Sequence, residues 1–239
     1  MKAYGLIGKS LKHSFSKSFF DTMFLKEKND FTYNNFEIQT INGLFEHPQI
    51  SRLCGFNVTI PYKQEVIQYL DDVKLDALKI GAVNCVKKEG KKWTGYNTDY
   101  LGFAESIHPL LKKHHKKALV LGSGGASKAI TYAFENLLSI EHLIISRNSQ
   151  TNYSFLDQNV IGEYHIIVNC TPLGTFPKTE EYPPIPYHFL NQNHLLFDLV
   201  YNPKKTVFLQ KGNQQGCQIA NGLEMLHIQA EKSWDIWRN

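Results

Sequence analysis

Apolar positions fall into short runs separated by polar turns, and their spacing alternates between that of strands and that of helices. Ala3-Tyr4-Gly5-Leu6-Ile7-Gly8 reads as an opening strand that ends in a glycine turn. After a polar loop, residues 18–28 carry Phe19, Phe20, Met23 and Phe24 at helical spacing. Residues 32–38 alternate as a strand, 55–60 form another short β-rich run, and 64–70 are helix-like. Residues 82–86 and 92–96 read as strands around a Glu89-Gly90 turn. This alternation predicts a parallel α/β unit.

From Tyr100 a second unit begins. A helical stretch through Phe103, Ile107 and Leu110 precedes the apolar run Ala118-Leu119-Val120-Leu121. That run enters Gly122-Ser123-Gly124-Gly125-Ala126-Ser127 and then a helix from Lys128 to Phe134, which together read as strand, tight turn and helix. Further strands are predicted at 143–145, 165–169 and 195–199, and Gln218-Ile219-Ala220-Asn221-Gly222 closes the sheet. Residues 223–237 are helical, with Leu226, Ala230, Trp234 and Trp237 along one side. Between Ser146 and His165 the one helical candidate is a weak stretch at 153–160, so a truncated helix or irregular loop is expected where a regular doubly wound unit carries a longer crossover.

Composition narrows the class. At 239 residues the chain holds one large or two modest domains, and its 42% hydrophobic content is that of a soluble globular protein. A net charge of +4 is too mild to imply nucleic acid. The basic run Lys112-Lys113-His114-His115-Lys116-Lys117 reads as a solvated helix end rather than a polyanion site. No apolar stretch approaches the roughly 20 residues of a membrane helix, and Met1-Lys2 leads directly into a strand-like run, so a cytoplasmic protein without a signal peptide is expected. Cys54, Cys85, Cys170 and Cys217 show no metal or disulfide spacing and read as buried reduced thiols; no metal is expected.

Candidate chemistry concentrates in four places. The glycine turn presents backbone N–H groups and a helix N-terminus suited to a dinucleotide pyrophosphate, with Ser127 small enough for close helix–strand packing. The next strand ends Ser146-Arg147-Asn148, with no carboxylate for a ribose 2′-hydroxyl and an arginine suited to a 2′-phosphate, which favours NADP over NAD; a solvated loop cation is the alternative for Arg147. Lys63 follows a Thr-x-Pro turn after an apolar strand, and Asp99 stands at a helix start after Gly95-Tyr96-Asn97-Thr98. Alone, each is a common solvated charge and Asp99 a helix cap; ahead of a nucleotide unit they point to proton transfer beside a hydride carrier. Ser14 and Ser16 precede a helix, where they either cap it or hold a carboxylate ligand.

These motifs, in this order, are similar to those of the shikimate dehydrogenase family over nearly the whole chain. The resemblance rests on His13-Ser14-Phe15-Ser16, Asn57-Val58-Thr59-Ile60-Pro61-Tyr62-Lys63, Gly81-Ala82-Val83-Asn84 and Gly95-Tyr96-Asn97-Thr98-Asp99. It continues through the glycine turn, Asn169-Cys170-Thr171-Pro172-Leu173-Gly174, Asp198-Leu199-Val200-Tyr201-Asn202-Pro203 with Thr206, and Gly222-Leu223-Glu224-Met225-Leu226-His227-Ile228-Gln229. It implies that Ser14 and Ser16 bind a substrate carboxylate with Tyr201 nearby, and that Thr59, Asn84, Asp99 and Gln229 hold ring hydroxyls. Lys63 would be the acid/base, paired with Asp99. Gly122, Ser123, Gly124, Gly125 and Ala126 would bind the pyrophosphate, Ser146 and Arg147 the adenosine end, and Thr171, Leu199 and Gly222 the nicotinamide side.

The implied fold is two α/β domains with a cleft between them: a substrate domain of residues 1–99 completed by the helix 222–239, and a Rossmann-type NADP domain of 100–221. The implied reaction is the reversible NADPH-dependent reduction of 3-dehydroshikimate to shikimate, a step towards chorismate and the aromatic amino acids. Its partners are small molecules, with neither nucleic acid nor membrane, in a monomer or homodimer. The alternative within the family is quinate dehydrogenase activity or broader use of NAD, against which the paired serines speak. Methylenetetrahydrofolate dehydrogenase shares the layout but not the His-Ser-x-Ser motif, and a non-catalytic nucleotide sensor would be expected to lose Lys63 or Asp99. Lys17 stands where the family commonly has proline, and Asn148-Ser149-Gln150-Thr151 lacks a second basic residue frequent there, so a modest NADP preference is expected.

Overall fold

The computed structural model describes residues 2–11, 14–26, 30–147 and 150–239. His13 of the His-Ser-Phe-Ser motif, Lys28 at the expected end of the first helix, and Asn148 and Ser149 after Arg147 lie outside the described residues. The chain divides into two compact units, Met1–Thr98 with Gln229–Asn239, and Asp99–Ile228.

The first unit contains β1 (Lys2–Gly8), α1 (Phe15–Lys26), β2 (Phe31–Glu37), β3 (Gly55–Val58), β4 (Asp72–Val73), α2 (Leu75–Ile80), β5 (Cys85–Glu89) and β6 (Lys92–Tyr96). Among the described residues its strands form one six-stranded sheet in the order β2-β1-β3-β5-β6-β4. β1 runs parallel to β2 and β3, whereas β5 is antiparallel to β3 and β6. The expectation of a parallel unit is therefore corrected: the sheet is mixed. Gly90 and Lys91 alone connect the paired ends Glu89 and Lys92, and a two-residue link can reverse a strand but cannot cross over.

Side chains alternate along β1. Tyr4 and Leu6 join a cluster with Phe20, Phe24, Trp234 and Trp237, while Ile7 joins Phe56, Val58, Val86 and Trp93. Fully burying a side chain such as Phe20 contributes about 1.5–3 kcal/mol. Trp237 stacks on Tyr4 with centroids 4.8 Å apart and donates from its indole to the Val86 carbonyl at 3.0 Å. A Cβ at Gly55 would collide with that indole.

The second unit contains α3 (Asp99–Ile107), β7 (Lys117–Leu121), α4 (Gly125–Ala133), β8 (Glu141–Ile145), α5 (Gln158–Glu163), β9 (Ile166–Asn169), β10 (Leu195–Asp198), α6 (Val207–Gln214) and β11 (Gln218–Asn221). The terminal helix α7 (Leu223–Arg238) starts here, and from Gln229 its residues belong to the first unit. The five strands are all parallel, in the order β11-β10-β9-β7-β8. β9 and β10 are buried along their whole length, as strands covered on both faces require. Between β8 and β9 the pattern's truncated crossover is found: a one-turn 3₁₀ segment, Tyr153–Phe155, then the six-residue α5, capped by Asp157 accepting from the Val160 N–H at 2.8 Å.

Two expectations about polar residues are corrected. The run 112–117 is exposed at Lys112, Lys113, His114 and Lys116, as expected, but it is a loop that ends in the first residue of β7 and not a helix end. Its His115 is 3% exposed, with Nδ1 accepting the Lys112 N–H at 3.0 Å and Nε2 facing the Asn193 carbonyl at 3.1 Å, so the buried ring meets backbone groups of two surface loops. Lys117 pairs with Glu163 and Glu141. All four cysteines are free thiols, but only Cys85 and Cys217 are buried; Cys54 and Cys170 sit just outside β3 and β9 and are half-buried. Among the described residues no helix is long and apolar enough to cross a membrane, and no cluster of His, Cys, Asp or Glu is arranged to hold a metal ion.

Candidate active site

Strand direction gathers the candidate residues of the first unit at one edge of its sheet. β1 and β3 run side by side in the same direction, with Ile7 opposite Val58, so the segments that follow both leave from the same edge. Ser14 and Ser16 follow β1, at and just inside the start of α1; Ser14 is half-buried and Ser16 buried. Thr59 and Lys63 follow β3 and are half-buried; the Thr59 N–H is anchored to the Ile7 carbonyl at 2.9 Å, and the Lys63 carbonyl accepts the Val83 N–H at 2.7 Å. β5 runs the opposite way, so the residue before it, Asn84, lies at the same edge, its carbonyl taking the Val58 N–H at 2.9 Å. β6 reverses once more and delivers Asn97 and Thr98 there, followed by Asp99, the buried first residue of α3.

Behind that edge lies a buried polar network. Asn84 takes the Thr98 N–H on Oδ1 at 2.6 Å, and its Nδ2 donates to Thr98 Oγ1 at 2.9 Å and to Gln229 Oε1 at 3.3 Å. Asn57 Nδ2 donates to the Asn84 carbonyl at 3.1 Å and to Ser233 Oγ at 2.9 Å, while Asn57 Oδ1 accepts from the Tyr33 hydroxyl at 2.9 Å. Ser233 Oγ donates to the Gln229 carbonyl one turn earlier on α7 and lies 3.2 Å from Thr98 Oγ1. Burial raises the Tyr33 phenol well above its usual range, and the Ser16 hydroxyl faces the same phenol. The network thus ties Ser16, Asn84 and Gln229, which are far apart in sequence, into one hydrogen-bonded set.

In the second unit all five strands point the same way, so Gly122, Ser146 with Arg147, Thr171, Leu199 and Gly222 leave from one carboxyl edge. The chain passes from β7 to β8 on one side and returns to β9 on the other, which makes the β7/β9 boundary a topological switch point. Gly122 stands there with φ of 109°, a left-handed conformation that favours glycine; an added Cβ would meet Thr171 Cγ2 at 3.2 Å. Gly124 and Ser123 are exposed, and a Cβ at Gly124 would meet nothing within 4 Å. Gly124 at the N-cap of α4 brings no side chain to cap it and no acidic residue lies in its first turn, so its N–H groups and positive dipole end fit a phosphate. Arg147 is exposed two residues after β8; burial raises the Tyr153 phenol, and the charge of Arg147 pulls against that rise. Gly222 packs onto the Leu199 backbone so closely that no Cβ fits.

Asp198, fully buried at the end of β10, organises this edge. It accepts from Thr206 Oγ1 at 2.5 Å, Asn169 Nδ2 at 2.9 Å and the Val200 N–H at 3.0 Å. With its Nδ2 engaged by the carboxylate, Asn169 turns Oδ1 to Thr171, accepting its N–H at 3.0 Å and its hydroxyl at 2.6 Å. Tyr201, half-buried, stands three residues beyond Asp198 in the same loop.

The family model of the shikimate dehydrogenase substrate binding domain matches residues 6–86. The shikimate dehydrogenase (NADP(+)) of Clostridium botulinum strain Hall is 36% identical over 250 residues, which cover 99% of this chain and 96% of that protein. The chain belongs to the shikimate dehydrogenase family. Among solved structures, shikimate dehydrogenase 1 of Peptoclostridium difficile is 35% identical with a TM-score of 0.86, covering 100% of this chain and 92% of that one. The Thermus thermophilus shikimate 5-dehydrogenase, solved in complex with NADP(H) and shikimate, gives a TM-score of 0.88 at 26% identity, covering 99% and 93%. Shikimate dehydrogenases of this family thus share the two-sheet fold described above. Reasoning from the sequence missed the buried partners Tyr33 and Ser233 and the organising role of Asp198. Asn57, Thr98 and Asp198 lay inside quoted motifs, whereas Tyr33 reads as one more core aromatic of β2 and Ser233 as one of many polar residues on α7.

Proposed function

We propose that this chain catalyses the reversible reduction of 3-dehydroshikimate to shikimate with NADPH, the first unit binding the acid and the second the dinucleotide. The observation that carries this reading is the single sheet edge on which Ser14, Ser16, Thr59, Lys63 and Asn84 emerge together: hydroxyls, an amide and an ammonium suited to a polyhydroxylated carboxylate. The α4 N-terminus with glycine at its N-cap, the open Gly124 and the exposed Arg147 suit the pyrophosphate and the 2′-phosphate of NADP.

NADPH, when bound, supplies hydride to the ring carbonyl carbon. Lys63 delivers a proton to the carbonyl oxygen and stabilises the negative charge developing there, with Asp99 as the assisting carboxylate. Ser14 and Ser16, with Tyr201, bind the substrate carboxylate, while Thr59, Asn84 and Gln229 hold the ring hydroxyls and so fix which carbon is presented. Thr171, Leu199 and Gly222 would line the nicotinamide side.

Steady-state assays of the purified protein with shikimate or quinate, each with NADP and with NAD, test this reading. NADPH absorbance should appear with shikimate and NADP at the highest kcat/KM. Preferred turnover of quinate would reassign the substrate, and no turnover with any pair would refute the activity. Calorimetry of shikimate binding to the Ser14→Ala, Ser16→Ala double variant tests the carboxylate assignment: unaltered affinity would return both serines to helix capping.

A further inference from the structure

Three carboxamides of the first unit, Asn57, Asn84 and Gln229, have no freedom to flip, because backbone groups fix the orientation of the set. The Asn84 carbonyl can only accept, so Asn57 must turn Nδ2 to it and Oδ1 to Tyr33. The Thr98 N–H can only donate, so Asn84 must turn Oδ1 to it and Nδ2 to Gln229 Oε1. Gln229 consequently points its NH₂ away from Asn84. Two fully buried hydroxyls hold this arrangement from either side of Asn57. Tyr33 donates to Asn57 Oδ1 from β2, and Ser233 accepts from Asn57 Nδ2 while its own hydrogen goes to the Gln229 carbonyl. Ser233 sits one turn after Gln229 on α7, so the bond to Asn57 sets the rotation of that helix at the point where Gln229 leaves it.

We propose that Tyr33 and Ser233 are positioning residues of the substrate site, acting through the Asn57 carboxamide to set the orientation of Asn84 and Gln229. The proposal rests on the reading that those two amides meet the hydroxyls of shikimate. Neither Tyr33 nor Ser233 touches the reacting groups in this assignment.

The test is a kinetic double-mutant cycle of Tyr33→Phe and Ser233→Ala, each of which removes one oxygen and keeps the packing, including the Tyr33 stack on Phe20 at 4.4 Å. Each variant should raise KM for shikimate roughly three- to tenfold, the worth of one neutral hydrogen bond. KM for NADP should stay put and kcat change by less than about twofold, since no group that acts only in the transition state is lost. Because both act on the Asn57 carboxamide, their effects should be less than multiplicative, only the part of Tyr33→Phe that runs through its Ser16 contact adding to that of Ser233→Ala. Phe24→Leu, a packing change in the same unit outside the network, serves as a stability control and should lower Tm without moving KM for shikimate. Unmoved KM in both variants, fully multiplicative effects, or a KM rise that the control reproduces at equal Tm would each overturn the proposal. The wild type's own turnover of shikimate, measured alongside, separates that failure from failure of the proposed activity.

Discussion

Replacing Asp198 by asparagine tests how the carboxyl edge of the second sheet is held. The carboxyl group has no solvent-exposed surface, and burial raises its pKa from 3.8 to about 6 although Thr206, Val200 and Asn169 donate to it and pull the other way. The folded state therefore binds this proton more tightly than the unfolded chain. Its contribution is fully present below the unfolded pKa of about 3.8 and is lost as pH rises through about 6. The difference, 6 minus 3.8, is 2.2 units, which at 1.36 kcal/mol per unit makes the pH-dependent loss about 3 kcal/mol. Asp198→Asn cannot ionise. Its Oδ1 can still accept from Asn169 and Val200, while its NH₂ faces Thr206 and disturbs one hydrogen bond, a pH-independent cost of about 1 kcal/mol. In urea unfolding between about pH 4 and 7.5, the variant should start less stable than the wild type and overtake it as pH rises, the difference swinging by about 2 kcal/mol, because the unfolded carboxyl is already partly ionised at pH 4. Histidine titrations common to both proteins cancel in that difference. A flat difference curve, or one of opposite slope, would refute the argument that burial outweighs the three donors.

Three further outcomes are expected. Lys63→Ala should lower kcat by about 10²–10⁴-fold while changing KM for shikimate little, because proton delivery acts in the transition state; near wild-type kcat at saturating substrate would remove the lysine from the mechanism. Arg147→Ala should raise KM for NADP by roughly 10–150-fold and leave that for NAD unchanged, the worth of one charge-assisted contact to phosphate; equal kcat/KM for the two cofactors in the wild type would show that the arginine serves solvent only. The neutral rings of His115 and His165 are favoured by burial, each pKa lying below the usual 6.5, so their stability contribution is complete above about pH 6.5 and declines as pH falls from there. His115→Asn, which retains an acceptor for the Lys112 N–H, should flatten that acid limb in circular dichroism melts, and an unchanged limb would place the loss elsewhere.

What the sequence disclosed follows the range of the forces involved. The second sheet was legible because β7, β9 and β10 are covered on both faces and so read as unbroken apolar runs, and because the glycine turn at residues 122–127 needs a backbone geometry that few residues supply. In the first sheet β1, β2, β3, β5 and β6 were legible but not their direction, and the two-residue β4 was not legible at all. The Glu89-Gly90 turn was seen, yet alternation alone suggested crossovers, and only the two-residue length of the link decides for antiparallel pairing. His115 misled for a different reason. In a run of lysines it reads as one more solvated cation, whereas its ring is uncharged in role and spends both nitrogens on the backbone of two loops, 3 and 78 positions away.

The site separates along the same line. The residues proposed to meet a ligand sit in short, ordered motifs, because a backbone turn must present them, and those motifs were readable one at a time. Residues that hold them do not. Tyr33 and Asn57 are 24 positions apart, Asn84 and Gln229 145, Asn57 and Ser233 176. A hydroxyl on a predominantly apolar helix face predicts nothing until the sheet brings a carboxamide to it, so Ser233 is invisible in one dimension and central in three. The same reasoning explains why a single oxygen matters there. Each amide has only one orientation that satisfies a backbone group of fixed polarity, so removing either terminal hydroxyl leaves a buried donor or acceptor with one fewer partner and no second arrangement to adopt. An interior amide network of this kind has little slack, and the loss should surface at Asn84 and Gln229, where the network is proposed to meet the ligand.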